Sequence, residues 1–105
     1  MERKVFRSGP YADLIAQAVQ VGDVIYLSGQ VGVDEQGDAP DSLVAQTTLA
    51  YEHVKAVLAE FGATLHNVVE ETVFVTDMAQ TLAQVQEVFA ARAAAYGGRP
   101  DVTQT

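Results

Sequence analysis

Val24, Ile25, Tyr26 and Leu27 form an uninterrupted apolar run that stops at Ser28-Gly29-Gln30. So short a run of β-branched and aromatic residues predicts a strand buried on both faces, or on one face and at a subunit contact. Upstream, Lys4-Val5-Phe6 reads as a short edge strand, followed by a turn at Ser8-Gly9-Pro10. Residues 15–21 read as a strand with Val19 and Val21 on one face and Ala16 and Ala18 on the other. Gly22-Asp23 joins that strand to Val24 with the spacing of a β-hairpin. Residues 34–41 are a polar, acidic loop with one glycine and one proline, the segment expected to be most mobile.

From Ser42 the period changes. Leu43, Thr47, Ala50, Tyr51, Val54, Val57, Leu58 and Phe61 recur at three and four residues, the stripe of an amphipathic helix. Asp41 or Ser42 is placed to cap its start and Gly62 to end it. Gln46, Glu52, Lys55 and Glu60 fall on its outer side. Residues 68–76 alternate as a strand, in which the adjacent Glu70 and Glu71 must point to opposite faces. Asp77 can cap a second helix over residues 80–96, with Leu82, Val85, Phe89, Ala93 and Tyr96 inward and Gly97-Gly98 as its stop. The tail from Arg99 begins another strand. The order β-β-β-α-β-α-β, with a hairpin first and helices between later strands, predicts an α+β layer fold.

Composition narrows the function classes. Fourteen acidic residues against six basic ones give a formal charge of −8, which repels phosphate backbones and argues against nucleic acid as the main partner. No apolar run reaches the roughly 20 residues of a membrane helix. The amino-terminal segment has no signal-peptide core, and the absence of cysteine excludes disulfides and thiolate chemistry. A cytoplasmic protein is expected. A chain this size buries only about two-thirds of its unfolded surface, so oligomerisation is a natural way to cover more.

Candidate chemistry is sparse. Ser28-Gly29-Gln30 offers a hydroxyl, a backbone without Cβ and an amide directly after a buried strand, the arrangement of a small-molecule site at a sheet edge. The alternative is that Gly29 and Gly32 only turn the chain. His53 and His66 stand thirteen residues apart with no carboxylate at ligand spacing, and read as solvated histidines rather than metal ligands. One of Glu70 and Glu71 must lie on the less solvated side. There it pairs with a lysine or arginine, the favoured reading, or holds a raised pKa at a subunit contact. Arg99, where the second helix gives way to a strand, can hold a carboxylate bidentately or stand exposed in a loop.

Several blocks resemble one family. Gly9-Pro10-Tyr11, the run from Gly22 through Ser28-Gly29-Gln30, Ala45-Gln46-Thr47 and Val54-Lys55-Ala56-Val57-Leu58 occur in its order. They are followed by Phe61-Gly62-Ala63 and Val73-Phe74-Val75-Thr76-Asp77-Met78. The chain is similar to the reactive-intermediate deaminases, the RidA/YjgF group, also called L-PSP endoribonucleases or translation initiation inhibitors. That resemblance implies a chorismate-mutase-like α+β fold, a mixed sheet with two helices on one face. It implies a homotrimer with clefts between subunits, where enamine or imine intermediates such as 2-aminoacrylate are hydrolysed to 2-keto acids and ammonia without cofactor or metal.

In such clefts an arginine binds the substrate carboxylate. By the resemblance that position falls on Arg99 or on Gln104, and the cleft tyrosine position on Tyr11 or Ile15. Ser28, Gly29 and Gln30 complete the expected substrate-binding set. Residues 1–105 are expected to form one domain lacking the family's last carboxy-terminal strands, and with them an acid that positions water. Three functions follow: an imine deaminase, a non-catalytic metabolite-binding trimer without the arginine clamp, and, disfavoured by charge, an endoribonuclease or translation inhibitor.

Overall fold

A computed structural model describes residues 1–105. Three strands, β1 (Arg3–Phe6), β2 (Ala18–Val21) and β3 (Val24–Leu27), form an antiparallel sheet in the order β1-β2-β3. The register pairs Val5 with Val19 and Val19 with Tyr26, so the alternation of the pleat sorts the sheet into two faces. Val5, Val19, Val21, Val24 and Tyr26 share the outer face. Phe6, Ala18, Ile25 and Leu27 share the inner one. The β2–β3 hairpin turns at Gly22-Asp23 as its spacing predicts, with Gly22 at φ 57°, a conformation that L side chains rarely adopt.

Helix α1 (Leu43–Ala59) lies where the three-and-four stripe places it. Ser42 is the cap, its Oγ accepting from the Ala45 N–H at 3.1 Å. The helix stops at Gly62, φ 69°, where the Ala63 N–H donates to the Leu58 carbonyl and the Gly62 N–H to that of Ala59. Lys4 reaches from β1 to this end, donating from Nζ to the Glu60 carbonyl at 2.7 Å with the Phe61 ring beneath it. Gln46 does not project outward as its helical phase suggests. Its Nε2 turns back to the Pro40 carbonyl at 2.7 Å.

The long strand read over residues 68–76 shrinks to β4 (Glu70–Glu71), which pairs in parallel with β5 (Thr103–Gln104). The Val73 N–H donates to the Thr105 carbonyl and extends that pairing a little further. Apolar alternation alone does not make a strand where no partner backbone is present. The second helix is interrupted at Gln84, giving α2 (Met78–Ala83) and α3 (Val85–Ala95). Asp77 caps α2, and Gly97 and Gly98 stop α3 by donating to the Ala94 and Ala93 carbonyls. The break puts Leu82 out of phase with the inner stripe and leaves it exposed, and Phe89 is also more exposed than expected.

Leu58, Leu65 and Tyr96 form the centre of the core, joined by Leu27, Tyr51, Val54, Val68 and Val102. The chain is therefore α+β, with parallel and antiparallel pairing and the helices packed on the inner side. No helix is long and apolar enough to cross a membrane.

The acidic loop is tied down rather than loose. The Asp34 carboxylate accepts from the Gln36 and Asp38 N–H groups at 2.9 Å each, and Gly37 supplies a positive φ. His53 is half-buried and its Nε2 donates to the Val33 carbonyl at 2.8 Å, which corrects its reading as a solvated residue. Gly32 lies against the first turn of α1, where a Cβ would collide with the Gln46 carbonyl, whereas a Cβ on Gly29 would meet open space. Gly32→Ala is expected to lower stability by about 1–3 kcal/mol in urea denaturation, with Gly29→Ala close to the parent. Equal effects of the two substitutions would contradict this packing.

Candidate functional site

The residues singled out in the sequence fall into three places. Ser28 and Gln30 turn inward at the end of β3. The Ser28 hydroxyl donates to the Ala16 carbonyl at 2.6 Å, and the Gln30 amide to Gln17 Oε1 at 2.9 Å. Both polar side chains thus hold the loop before β2 against the end of β3, and Gly29 between them leaves its backbone open. Tyr11, exposed on the neighbouring loop, lines an open depression with Pro10, Val31 and Val33. Ile15 is exposed too, but it closes the turn by donating its N–H to the Tyr11 carbonyl and does not line the depression.

Arg99 lies elsewhere. It borders a cavity of about 220 Å³ between residues 65–68 and residues 96–102. Residues 65–68 follow the carboxy-terminal end of α1. Ser28-Gly29-Gln30 leads through Gly32 to its amino-terminal end, beside Gln46. Leu27, immediately before Ser28, packs against the core of Leu58, Leu65 and Tyr96, and Leu65 and Tyr96 also line this cavity.

Gln104 is not open to a ligand in the way Arg99 is. Its Nε2 donates to Glu71 Oε2 at 2.8 Å. Four more bonds converge on the same carboxylate: Arg92 Nε at 2.7 Å, the Tyr96 hydroxyl at 2.6 Å, and the Tyr51 hydroxyl at 2.9 and 3.1 Å to the two oxygens. Arg92 also donates from Nη2 to the Val102 carbonyl at 3.0 Å, and its guanidinium lies over the Tyr96 ring. The side chains of Arg92 and Glu71 are each only 12% exposed. Glu71 is therefore the inward member of the acidic pair, and it meets an arginine as the favoured reading expected. Sequence reasoning passed over Arg92, Tyr51 and Tyr96 as a cluster. The signal was present: Arg92 and Tyr96 stand four apart on one helix face, and Tyr51 lies in the inner stripe of α1 with a hydroxyl that needs a partner.

Burial alone would raise the Glu71 pKa. The bonds from Gln104, Tyr96, Arg92 and Tyr51 outweigh it and hold the carboxyl below its usual range. Burial, reinforced by the Glu71 charge, pushes both tyrosines well above theirs. Burial disfavours the Arg92 charge, but Glu71 more than restores it and raises its pKa. The carboxylate has no free acceptor position, so the cluster is a clamp among β4, β5, α1 and α3 rather than a catalytic group.

Glu71→Ala leaves a mostly buried guanidinium and two hydroxyls without their acceptor, and is expected to cost about 3–5 kcal/mol in urea denaturation at pH 7. A cost below about 1 kcal/mol would contradict the burial of this pair. The lowered carboxyl pKa makes the native state lose stability as pH falls below the unfolded-state value, about 4.3. The raised tyrosine values add a second loss as pH rises past about 10, where only the unfolded chain ionises. Glu71→Ala should flatten the acid limb of a stability–pH curve.

Comparison with known proteins gives this geometry a lineage. The Endoribonuclease L-PSP family model matches residues 7–104. A RutC family protein of Pyrococcus abyssi is 37% identical over 83 residues, covering 77% of this chain and 61% of that protein. TdcF of Escherichia coli, named as a candidate reactive intermediate deaminase, is 34% identical over 82 residues, covering 77% and 60%. The chain thus spans about three-fifths of the length of these curated relatives. Among solved structures, RidA from an Antarctic Psychrobacter superposes with a TM-score of 0.70 at 30% identity, covering 95% of this chain and 78% of that one. Matched along almost its whole length, the chain belongs to the Endoribonuclease L-PSP family, the RidA/YjgF group.

Proposed function

We propose that this chain is the subunit of a homotrimer that binds a small carboxylate-bearing substrate at clefts between subunits and hydrolyses enamine or imine intermediates there, releasing a 2-keto acid and ammonia. The observation that carries this reading is Arg99, a guanidinium without a protein ion-pair partner bordering a small cavity, while the competing Gln104 amide is held by Glu71. Arg99 is the residue left to take the substrate carboxylate, and a bidentate pair would fix the plane of the imine. Water then adds to the imine carbon, and the resulting carbinolamine expels ammonia as its C–N bond breaks. Such a step depends on placement and charge more than on a strong nucleophile.

Two features support a shared cleft. The outer sheet face leaves Val5, Val24 and Tyr26 between 46% and 64% exposed, and only five of 105 residues are buried, so a lone chain leaves much apolar area wet. Tyr11 and Val31, both exposed, also line an open depression that a neighbouring subunit would close. The TdcF and RidA relatives lend the reaction class, and the acidic charge of this chain disfavours the ribonuclease activity in the family's name.

The internal bonds of Ser28 and Gln30 favour one alternative, a trimer that binds a metabolite without turning it over. Keto-acid release from freshly generated 2-aminoacrylate separates the two. For the deaminase, Arg99→Ala should lower kcat/KM by roughly two to three orders of magnitude, with little recovery in Arg99→Lys. Gln104→Arg should add no activity, because the new guanidinium would face Glu71. Turnover that survives Arg99→Ala would remove the clamp, and a parent without turnover would leave the binding protein.

Sedimentation at micromolar concentration is expected to show the trimer, with Tyr26→Asp shifting it towards monomer. A monomeric parent would overturn the shared cleft.

A further inference from the structure

The strand pattern of residues 68–76 runs further than its pairing. The Thr103 and Thr105 N–H groups donate to the Val69 and Glu71 carbonyls, and the Val73 N–H donates to the Thr105 carbonyl. Val69, Glu71 and Val73 therefore face β5, and in extended backbone the groups between them face the opposite edge. On that edge neither the N–H nor the carbonyl of Thr72 or Phe74 meets a protein partner, and both residues are exposed. The Phe74 side chain is 91% exposed. By alternation from Glu71, which meets α1 and α3, it points away from the helices.

An open strand edge is a template for another strand, and folded chains ordinarily blunt it with lysine or proline. From Thr72 to Thr76 the sequence holds neither of these and no charge. Its β-branched and aromatic residues favour the extended conformation that an added strand needs. A row of backbone donors and acceptors recognises another peptide backbone rather than a small molecule. Charge narrows the guest. Glu70 stands before the open segment and Asp77 after it, both exposed and neither in an ion pair. Antiparallel pairing of this edge with its own copy would bring Glu70 of one chain towards Asp77 of the other, between chains that each carry −8. A guest with basic ends meets a carboxylate at each end, whichever way it runs.

We propose that the open edge of residues 70–75 is a docking site for an extended peptide segment of another protein, apolar and β-branched at its centre and basic at its ends. The guest adds as a strand beside β4, on the side away from β5. Its backbone bonds Thr72 and Phe74, its β-branched side chains cover the Phe74 ring, and its lysines or arginines approach Glu70 and Asp77. It lies in the plane of the sheet, so the site does not rest on the deaminase reading or on the residues of that cleft.

NMR titration of the full chain with the peptide KVTVTVK, blocked at both ends, tests this. The amides of Thr72 and Phe74 are expected to shift most. Two altered peptides separate backbone from charge: N-methylation of the central residues removes the donors, and EVTVTVE reverses the ends. Each should bind roughly tenfold or more weakly. Phe74→Lys places a cation on the edge, and Thr72→Pro deletes a donor that no bond within the chain uses. Both should weaken KVTVTVK by about the same factor. Both positions are exposed and their backbone groups are unpaired, so the variants should fold, as far-UV circular dichroism can check.

No binding of KVTVTVK, or binding unchanged by N-methylation or in both variants, would overturn the proposal. So would amide shifts confined to residues outside the open segment. Sedimentation of the parent and Phe74→Lys without peptide covers the remaining occupant. Self-association lost in Phe74→Lys would assign the edge to a second copy of this chain and overturn the foreign guest. Unchanged assembly together with weakened peptide binding would support it.

Discussion

The buried carboxylate of Glu71 is the constraint on which the rest of the arrangement depends. A charge removed from water must be paired and hydrogen-bonded, and here every acceptor position is filled from a different direction. Tyr51 arrives from α1, Arg92 and Tyr96 from α3, and Gln104 from β5. Moving any one of these elements breaks a bond to a desolvated group. The two-residue parallel pairing of β4 and β5 is too short to be stable by itself. Its register is set by what Glu71 requires on its inward side.

The same clamp decides which residues are open to a ligand. With Gln104 drawn to Glu71, Arg99 is the one of the two whose side chain is left unbonded. Because Arg92 holds the Val102 carbonyl, the loop carrying Arg99 and Asp101 springs from a fixed base. The charged groups of the cavity and those of the clamp share two walls, Tyr96 and Val102, without sharing a bond across the space. A neutralised buried pair thus lies next to charges still exposed to solvent.

Elsewhere the fold is thinly filled. The core centres on three residues, and the outer face of β1-β2-β3 carries a row of valines with Tyr26. An antiparallel sheet can present one face to water when that face is polar. This one is apolar, which is why a partner surface is part of the functional reading. Family membership is shared with the relatives, while this distribution of apolar area is a property of this chain.

Much of the layout was legible in the residues themselves. The β2–β3 hairpin followed from Gly22-Asp23 between two apolar runs, α1 from its stripe and its Ser42 and Gly62 boundaries, and the stop of α3 from Gly97-Gly98. These are local effects of backbone sterics, capping and periodicity, and they need no distant partner. The extent of the strand after Val68 was not legible, because a strand exists only where another backbone meets it. Nor was the break at Gln84, which no proline or glycine marks. Nor was it legible that Ser28 and Gln30 turn their polar atoms to Ala16 and Gln17. The engagement of Gln104 was the furthest from view. It turns on a carboxylate 33 residues from Gln104 in sequence. Spacing along a chain fixes which way a side chain can point, whereas only the packed structure decides what charge it finds there.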